Sequence, residues 1–180
     1  TETDQPPAKI QKTDTSMETN SVEPIHYDIC QLCTQFGDST EPIHVAEAFS
    51  PGRFTEKAHL FNLRGGFAMD LRTGWDFNIK RHRDAAIAYR RKAKPFLLIG
   101  SPKCSAFSSL QNLCPDTPQW HKARREGINH LLFICKLYRE QHADGLKFLH
   151  EHPRHAYSWG LWMMREISEL PGVQLVDGDQ

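Results

Sequence analysis

From Ile43 onward the chain alternates two kinds of segment, and that alternation restricts the folds open to it. Short β-type runs occur at IHVAEAF (43–49), GFAMDL (66–71), PFLLIG (95–100), LKFLHEH (146–152) and VQLVD (173–177). Between them lie stretches of helical character: TEKAHLFNLRG (55–65), IKRHRDAAIAYRRKAK (79–94), a long helix over about His121–His142, and SWGLWMMREISEL (158–170). On the long helix Ile128, Leu131, Leu132, Cys135 and Tyr138 fall on one face, the stripe expected of a helix laid on a core. Gly65, Gly66 and Gly145 stand where helices should close. PFLLIG is apolar throughout, as in a strand buried on both faces. Strands separated by helices predict an α/β fold, a mostly parallel sheet with helices on both faces.

The 180 residues and 39% hydrophobic content allow one domain with a substantial core. Residues 1–23 are rich in Thr, Glu, Asp and Pro and nearly lack large apolar side chains, so they are expected to be a disordered leader. An adapter segment, 24–42, carries Cys30 and Cys33 as a lone C-x-x-C with His26 nearby. It reads either as half of a zinc site or as two unpaired thiols, with no second Cys/His pair at suitable spacing; no metal is assigned. Lys and Arg total 22 and Asp and Glu also 22, so no global positive field announces a nucleic-acid binder. Five cysteines at irregular spacing without a signal segment predict an intracellular protein, nuclear or cytoplasmic. Apolar runs are too short for a membrane span. The chain stops just past the last predicted strand, so the domain is expected to be incomplete at its C-terminus.

In an open α/β sheet, ligands bind beyond the carboxyl ends of the strands. That rule gathers Glu47, Phe49 and Pro51 after the first strand, Asp70 after the second, Cys104 after the central one and Glu151 after the fourth. Pro102 stiffens the turn that presents Cys104. Each residue also has a plainer reading: Asp70 as a cap, Glu151 between His150 and His152 as part of a solvated loop, Cys104 as a small filler. Cys114 and Cys135 are assigned to packing, whereas Cys104 differs in lying in a polar, Ser-rich loop.

The order and spacing of these segments resemble the cytosine-5 DNA methyltransferases, over roughly Ile43–Gln180. HVAEAFSPGR occupies the place of that family's D-L-F-x-G-type cofactor loop, Asp70 in GFAMDL matches the acidic residue at the ribose, and Asp76 in TGWDFN matches the aspartate at adenine. GSPKCSAFS keeps the Pro, Cys, Phe and Ser of the P-P-C-Q-x-F-S nucleophile loop, and Glu151 in FLHEHP stands where the E-N-V tripeptide binds the base. Divergent domains of this kind also resemble segments of retrotransposon-type polyproteins. The departures are that EAFSPGR lacks the glycine-rich loop, Lys103 replaces the second proline, Ser105 replaces glutamine, and His152 and Pro153 follow the glutamate.

The resemblance implies a Rossmann-like sheet of the S-adenosylmethionine-dependent methyltransferase type. It implies S-adenosylmethionine as cofactor, held by Glu47, Phe49, Asp70, Asp76 and Pro102, with Cys104 and Glu151 catalytic. Cys104, with the charge of Lys103 beside it, would add to carbon-6 of cytosine, and Glu151 would hold the ring nitrogen and amine. The implied partner is nucleic acid, DNA before RNA, gripped by KRHRD, RRKAK and HKARR, with a C-terminal region or partner chain completing the domain. Two rivals stand beside this reading: a methyltransferase-like module without activity that binds nucleic acid or protein, and a thiol hydrolase pairing Cys104 with His150 or His152.

Overall fold

The computed structural model describes residues 41–108 and 117–178. The leader, most of the adapter segment with Cys30 and Cys33, and Cys114 lie outside the described residues. Four strands form one sheet: β1 (Val45–Ala48), β2 (Gly65–Met69), β3 (Leu97–Gly100) and β4 (Lys147–His150), in the order β2-β1-β3-β4. Every pairing is parallel, with Val45 opposite Leu97 and Gly100 opposite His150. Three helices accompany them: α1 (Lys80–Ala93), α2 (Pro118–Ala143) and α3 (Trp162–Ser168). The chain is thus an α/β domain with an all-parallel sheet. Among the described residues no helix is long and apolar enough to cross a membrane.

Alternation along each strand splits the core in two. Ala46, Ala48, Met69 and Leu98 face a large cluster that includes Tyr89 of α1, Leu131, Ile134 and Tyr138 of α2, and Met163, Met164 and Ile167 of α3. Val45, Ile99 and Leu97 face the other way and meet Ala58. Helices expected on both faces therefore lie on one face only. The connection β1→β2 moves across the sheet in one direction and the later ones in the other, so right-handed crossovers assign them to opposite faces. The first crossover contains no α-helix: the segment predicted as helical over 55–65 forms only a 3-10 turn, Ala58–Phe61. Ala58 is the only buried residue of that turn, Leu60 and Phe61 are exposed, and Asn62 stops it in the left-handed region at φ 55°. A turn that buries one alanine has too little apolar contact to hold a longer helix.

The last predicted strand also differs. Residues 173–177 adopt no strand, although they run beside β4.

The end of α2 is tied to the sheet by buried polar groups. Arg90, 2% exposed, donates to Gln141 Oε1 at 2.7 Å and Glu140 O at 2.7 Å and pairs with Asp144 at 2.6 Å. Gln141 in turn donates to Pro95 O and Lys147 O, clamping the starts of β3 and β4. A guanidinium buried this deeply is tolerated because its donors are matched.

Candidate functional site at the carboxyl ends of the strands

The chain leaves β1 toward β2 on one side and returns to β3 on the other, so the strand order reverses between β1 and β3. Ligand crevices in open parallel sheets form at such a reversal. Phe49 occupies this point with φ 59°, a conformation that costs a bulky residue on the order of 1–3 kcal/mol. Its N–H donates to Met69 O at 2.8 Å, and its ring packs at 4.6 Å on Phe77, 5.1 Å on His130 and 6.3 Å on Phe133.

Glu47 does not face this crevice. Its fully buried carboxylate accepts from Ser50 Oγ at 2.5 Å, the N–H groups of Phe54 and Thr55 at 3.0 and 2.7 Å, and Thr55 Oγ1 at 2.8 Å. It folds residues 50–55 around its own side chain. Four donors satisfy a carboxylate, so Glu47 shapes the loop and has no capacity left for a ligand.

Asp70 ends β2 and caps the turn Leu71–Thr73, accepting from Arg72 N at 2.9 Å through Oδ1. Asp76 accepts from Asn78 N at 2.9 Å, again through Oδ1. A carboxylate offers about four acceptor positions, so each keeps acceptor capacity beyond these bonds. His130, which the sequence reading did not single out, joins them from α2: its Nε2 lies 3.1 Å from Asn78 Oδ1. Burial lowers its pKa, Asp76 and Glu126 oppose that shift, and Arg83 and Lys103 reinforce it. An aromatic face beside two carboxylates suits an adenosine-type ligand, with stacking for the base and acceptors for the ribose hydroxyls and exocyclic amine.

Across the sheet, Cys104 follows β3 and Glu151 follows β4, neighbouring parallel strands that end at the same level. Glu151 N donates to Gly100 O at 3.0 Å, continuing the ladder. The two loops are joined by His152, 9% exposed. Its Nε2–H donates to Pro102 O at 2.8 Å and its Nδ1 accepts from Ser158 Oγ at 2.6 Å. Burial lowers the His152 pKa, while the Pro102 carbonyl and Glu151 oppose that shift. Both ring nitrogens are engaged by these partners. Pro102 is buried and contributes its carbonyl to this tie.

His150, two residues earlier, lies on the same side of the pleat, its ring 4.7 Å from that of His152. Its Nδ1 lies 3.1 Å from Tyr138 Oη, while its Nε2 is buried with no hydrogen-bond partner among the described residues. Burial first, then the neighbouring His152, lowers its pKa to about 3. The sign of the pH effect follows. Below about pH 6.5 the unfolded chain binds a proton here that the native chain refuses. Stability is complete above that pH and falls by about 1.4 kcal/mol per unit as pH drops toward the folded value. Urea unfolding at pH 6.5 and 4 is expected to differ by about 3 kcal/mol through His150, and His150→Asn should flatten that slope. An unchanged slope would mean that other groups carry the acid sensitivity.

Several basic residues expected to grip phosphates are committed elsewhere. Arg90 is buried, Arg91 pairs with Glu140 at 2.7 Å, Lys80 pairs with Asp84 at 2.6 Å, and Arg83 donates to Phe77 O and Asn78 O. At the start of α2, Lys122 pairs with Glu126 at 4.0 Å and Arg125 is exposed. Arg124 lies 5.4 Å over the ring of Trp120. Because α2 runs back along the strands, its first turns stand at their carboxyl ends, beside the Cys104 loop.

No protein-family model, curated protein or solved structure matches the chain. The strand ends thus group the candidate residues into two sets: Phe49, Asp70 and Asp76 around the β1 reversal, and Cys104, Pro102 and Glu151 at β3 and β4. Glu47 is the exception, turned to the opposite face.

Proposed function

We propose that the chain is a cytosine-5 methyltransferase-like domain of Rossmann-like type, acting on nucleic acid through Cys104 with S-adenosylmethionine as cofactor. The observation that carries this reading is the placement of Cys104 and Glu151 on loops leaving adjacent parallel strands, tied together through His152 and Pro102. A nucleophile and a carboxyl group meeting over one planar base need that arrangement. Cys104 Sγ forms a bond to carbon-6, and the ring's electron pair moves toward the nitrogen that Glu151 holds by hydrogen bonding. Carbon-5 thereby becomes nucleophilic. A methyl group would then bond to carbon-5 as its bond to the donor sulfur breaks and the demethylated donor leaves, after which loss of the carbon-5 proton to a base and expulsion of the thiolate restore the aromatic ring. A base in a duplex must leave the stack to enter such a crevice, and Arg124 and Arg125 would hold its phosphates. The cofactor supplies an electrophilic methyl group when bound, with Phe49, Asp70 and Asp76 as the residues suited to hold it.

A second reading rests on a separate observation: Glu47 is fully committed to its own loop and Asp70 already caps a turn. On that reading the domain binds nucleic acid or protein without methyl transfer. Calorimetric titration with S-adenosylmethionine separates the two. Asp70→Ala should weaken binding on the order of tenfold through loss of a charge-assisted hydrogen bond. Absence of binding by the unmodified chain at millimolar cofactor would sink the enzyme reading and leave the second.

A further inference from the structure

β4 is an edge strand with an open side. Lys147 N donates to Phe96 O and Glu151 N to Gly100 O, so by the alternation of a parallel ladder the N–H groups of Phe148 and His150 face away from β3. A row of such groups is an invitation to pair with another strand. Beside it lies a cleft of about 1120 Å³, with β4 on one wall and residues 171–178 on the other.

Two contacts give the direction of that second wall. His142, at the end of α2 and hence near the start of β4, donates from Nε2 to Pro171 O at 2.9 Å. Arg154, beyond the end of β4, pairs with Asp177 at 3.4 Å. Residues 171–177 therefore run in the same direction as β4, in the place that a fifth parallel strand reached through α3 would take. The sequence VQLVD has the β-branched and apolar composition of a strand. Yet Leu175 and Val176 are 68% and 83% exposed, and Leu149 on β4 is 48% exposed. The Arg154–Asp177 pair is itself solvent-exposed on both sides, the kind of contact that contributes little and yields easily.

We propose that Val173–Asp177 is a strap that closes onto the open edge of β4 as a fifth parallel strand, so that the cleft is the open state of a sheet edge that shuts. Closure pairs the N–H groups of Phe148 and His150, covers apolar side chains on both walls, and fixes the rim where Glu151 and Arg154 leave β4. The proposal rests on direction, edge and exposure alone and stands independently of the methyltransferase reading.

Residue-resolved amide exchange on the full chain tests it, with Leu175→Pro and Val176→Pro as probes. An edge strand points alternate N–H groups at its neighbour and at solvent, so proline is tolerated at one parity and breaks the ladder at the other. One variant is therefore expected to speed exchange of Phe148 and His150 at least tenfold and the other to leave it unchanged. Lys147 and Leu149, bonded to β3, should exchange alike in all three proteins, and Leu98 reports the integrity of the sheet. Equal behaviour of the two proline variants would overturn the proposal. So would protection of Phe148 and His150 that rises with protein concentration, because the edge would then belong to a second copy.

Discussion

Replacing Cys104 by serine is expected to abolish covalent trapping by an oligonucleotide containing a fluorinated cytosine, while the unmodified chain forms a stable adduct in the presence of S-adenosylmethionine. Fluorine at carbon-5 leaves no proton to remove, so the sulfur–carbon bond persists and can be read by mass. A serine hydroxyl is far less ionised than a thiol near neutrality and adds poorly to an aromatic ring. The protein contains its own control. Cys135 is fully buried, lies 3.5 Å from Met164 Sδ, and burial pushes its thiol up to about 12, so it has almost no thiolate to offer. Cys104 is only partly buried at the start of the turn Ser105–Phe107. Brief alkylation at neutral pH should therefore label Cys104 well ahead of Cys135, and cofactor or oligonucleotide should protect it. A serine variant that still forms the adduct, or equal labelling of the two thiols, would reduce the Cys104 loop to a turn and withdraw the catalytic reading.

The parallel α/β class was legible because its cause is local: apolar runs such as LLIG separated by amphipathic stretches such as ARREGINHLLFICKLYREQ. The fate of the helix expected over 55–65 was not, because it depends on how much of that segment finds a surface to bury against: only Ala58 does, a tertiary outcome that no periodicity records. The strand expected at 173–177 shows the same limit from the other side, since strand propensity does not determine whether an edge is closed. Of the candidate residues, Cys104, Asp70 and Glu151 do follow the carboxyl ends of β3, β2 and β4, whereas Glu47 faces the other side of the sheet: within four residues its face is set by the pleat, and a one-residue difference in register reverses it. His130 carried no local signal. It sits on a helix face otherwise filled by core residues, and only the approach of Asn78 and Phe49 gives it a role. His152 could be noticed as a histidine beside Glu151, but its tie to Pro102 spans 50 residues.

The second large effect concerns the residue that ends β3. Gly100 has no cross-strand reason visible in the sequence, yet a Cβ placed there would lie 2.0 Å from Tyr138 Oη and 2.8 Å from Ile134 Cγ1. Both neighbours belong to α2 and are fully buried, so neither swings aside. Overpacking of a tight core commonly costs 1–3 kcal/mol, and here Gly100→Ala should cost at least about 3 kcal/mol, because a hydroxyl with its own partners must be displaced. Tyr138 Oη stands 3.3 Å from Gly100 O, 3.3 Å from Leu149 O and 3.1 Å from His150 Nδ1. Tyr138→Phe alone removes those bonds and should cost about 1–2 kcal/mol, but it also removes the nearest atom in the clash. The double variant is therefore expected to be more stable than the sum of the single losses by about 1–2 kcal/mol in a urea-unfolding cycle. Additive losses would show that the strand end relaxes without feeling the hydroxyl. The same pair tests how rigidly the site is built. Gly100 precedes Ser101 and Pro102, and Pro102 O is the acceptor that ties the Cys104 loop to His152. A shift of a few tenths of an ångström at Gly100 passes directly into the spacing of Cys104 and Glu151, so adduct formation should fall in Gly100→Ala even at temperatures where the chain remains folded, and recover in part in the double variant.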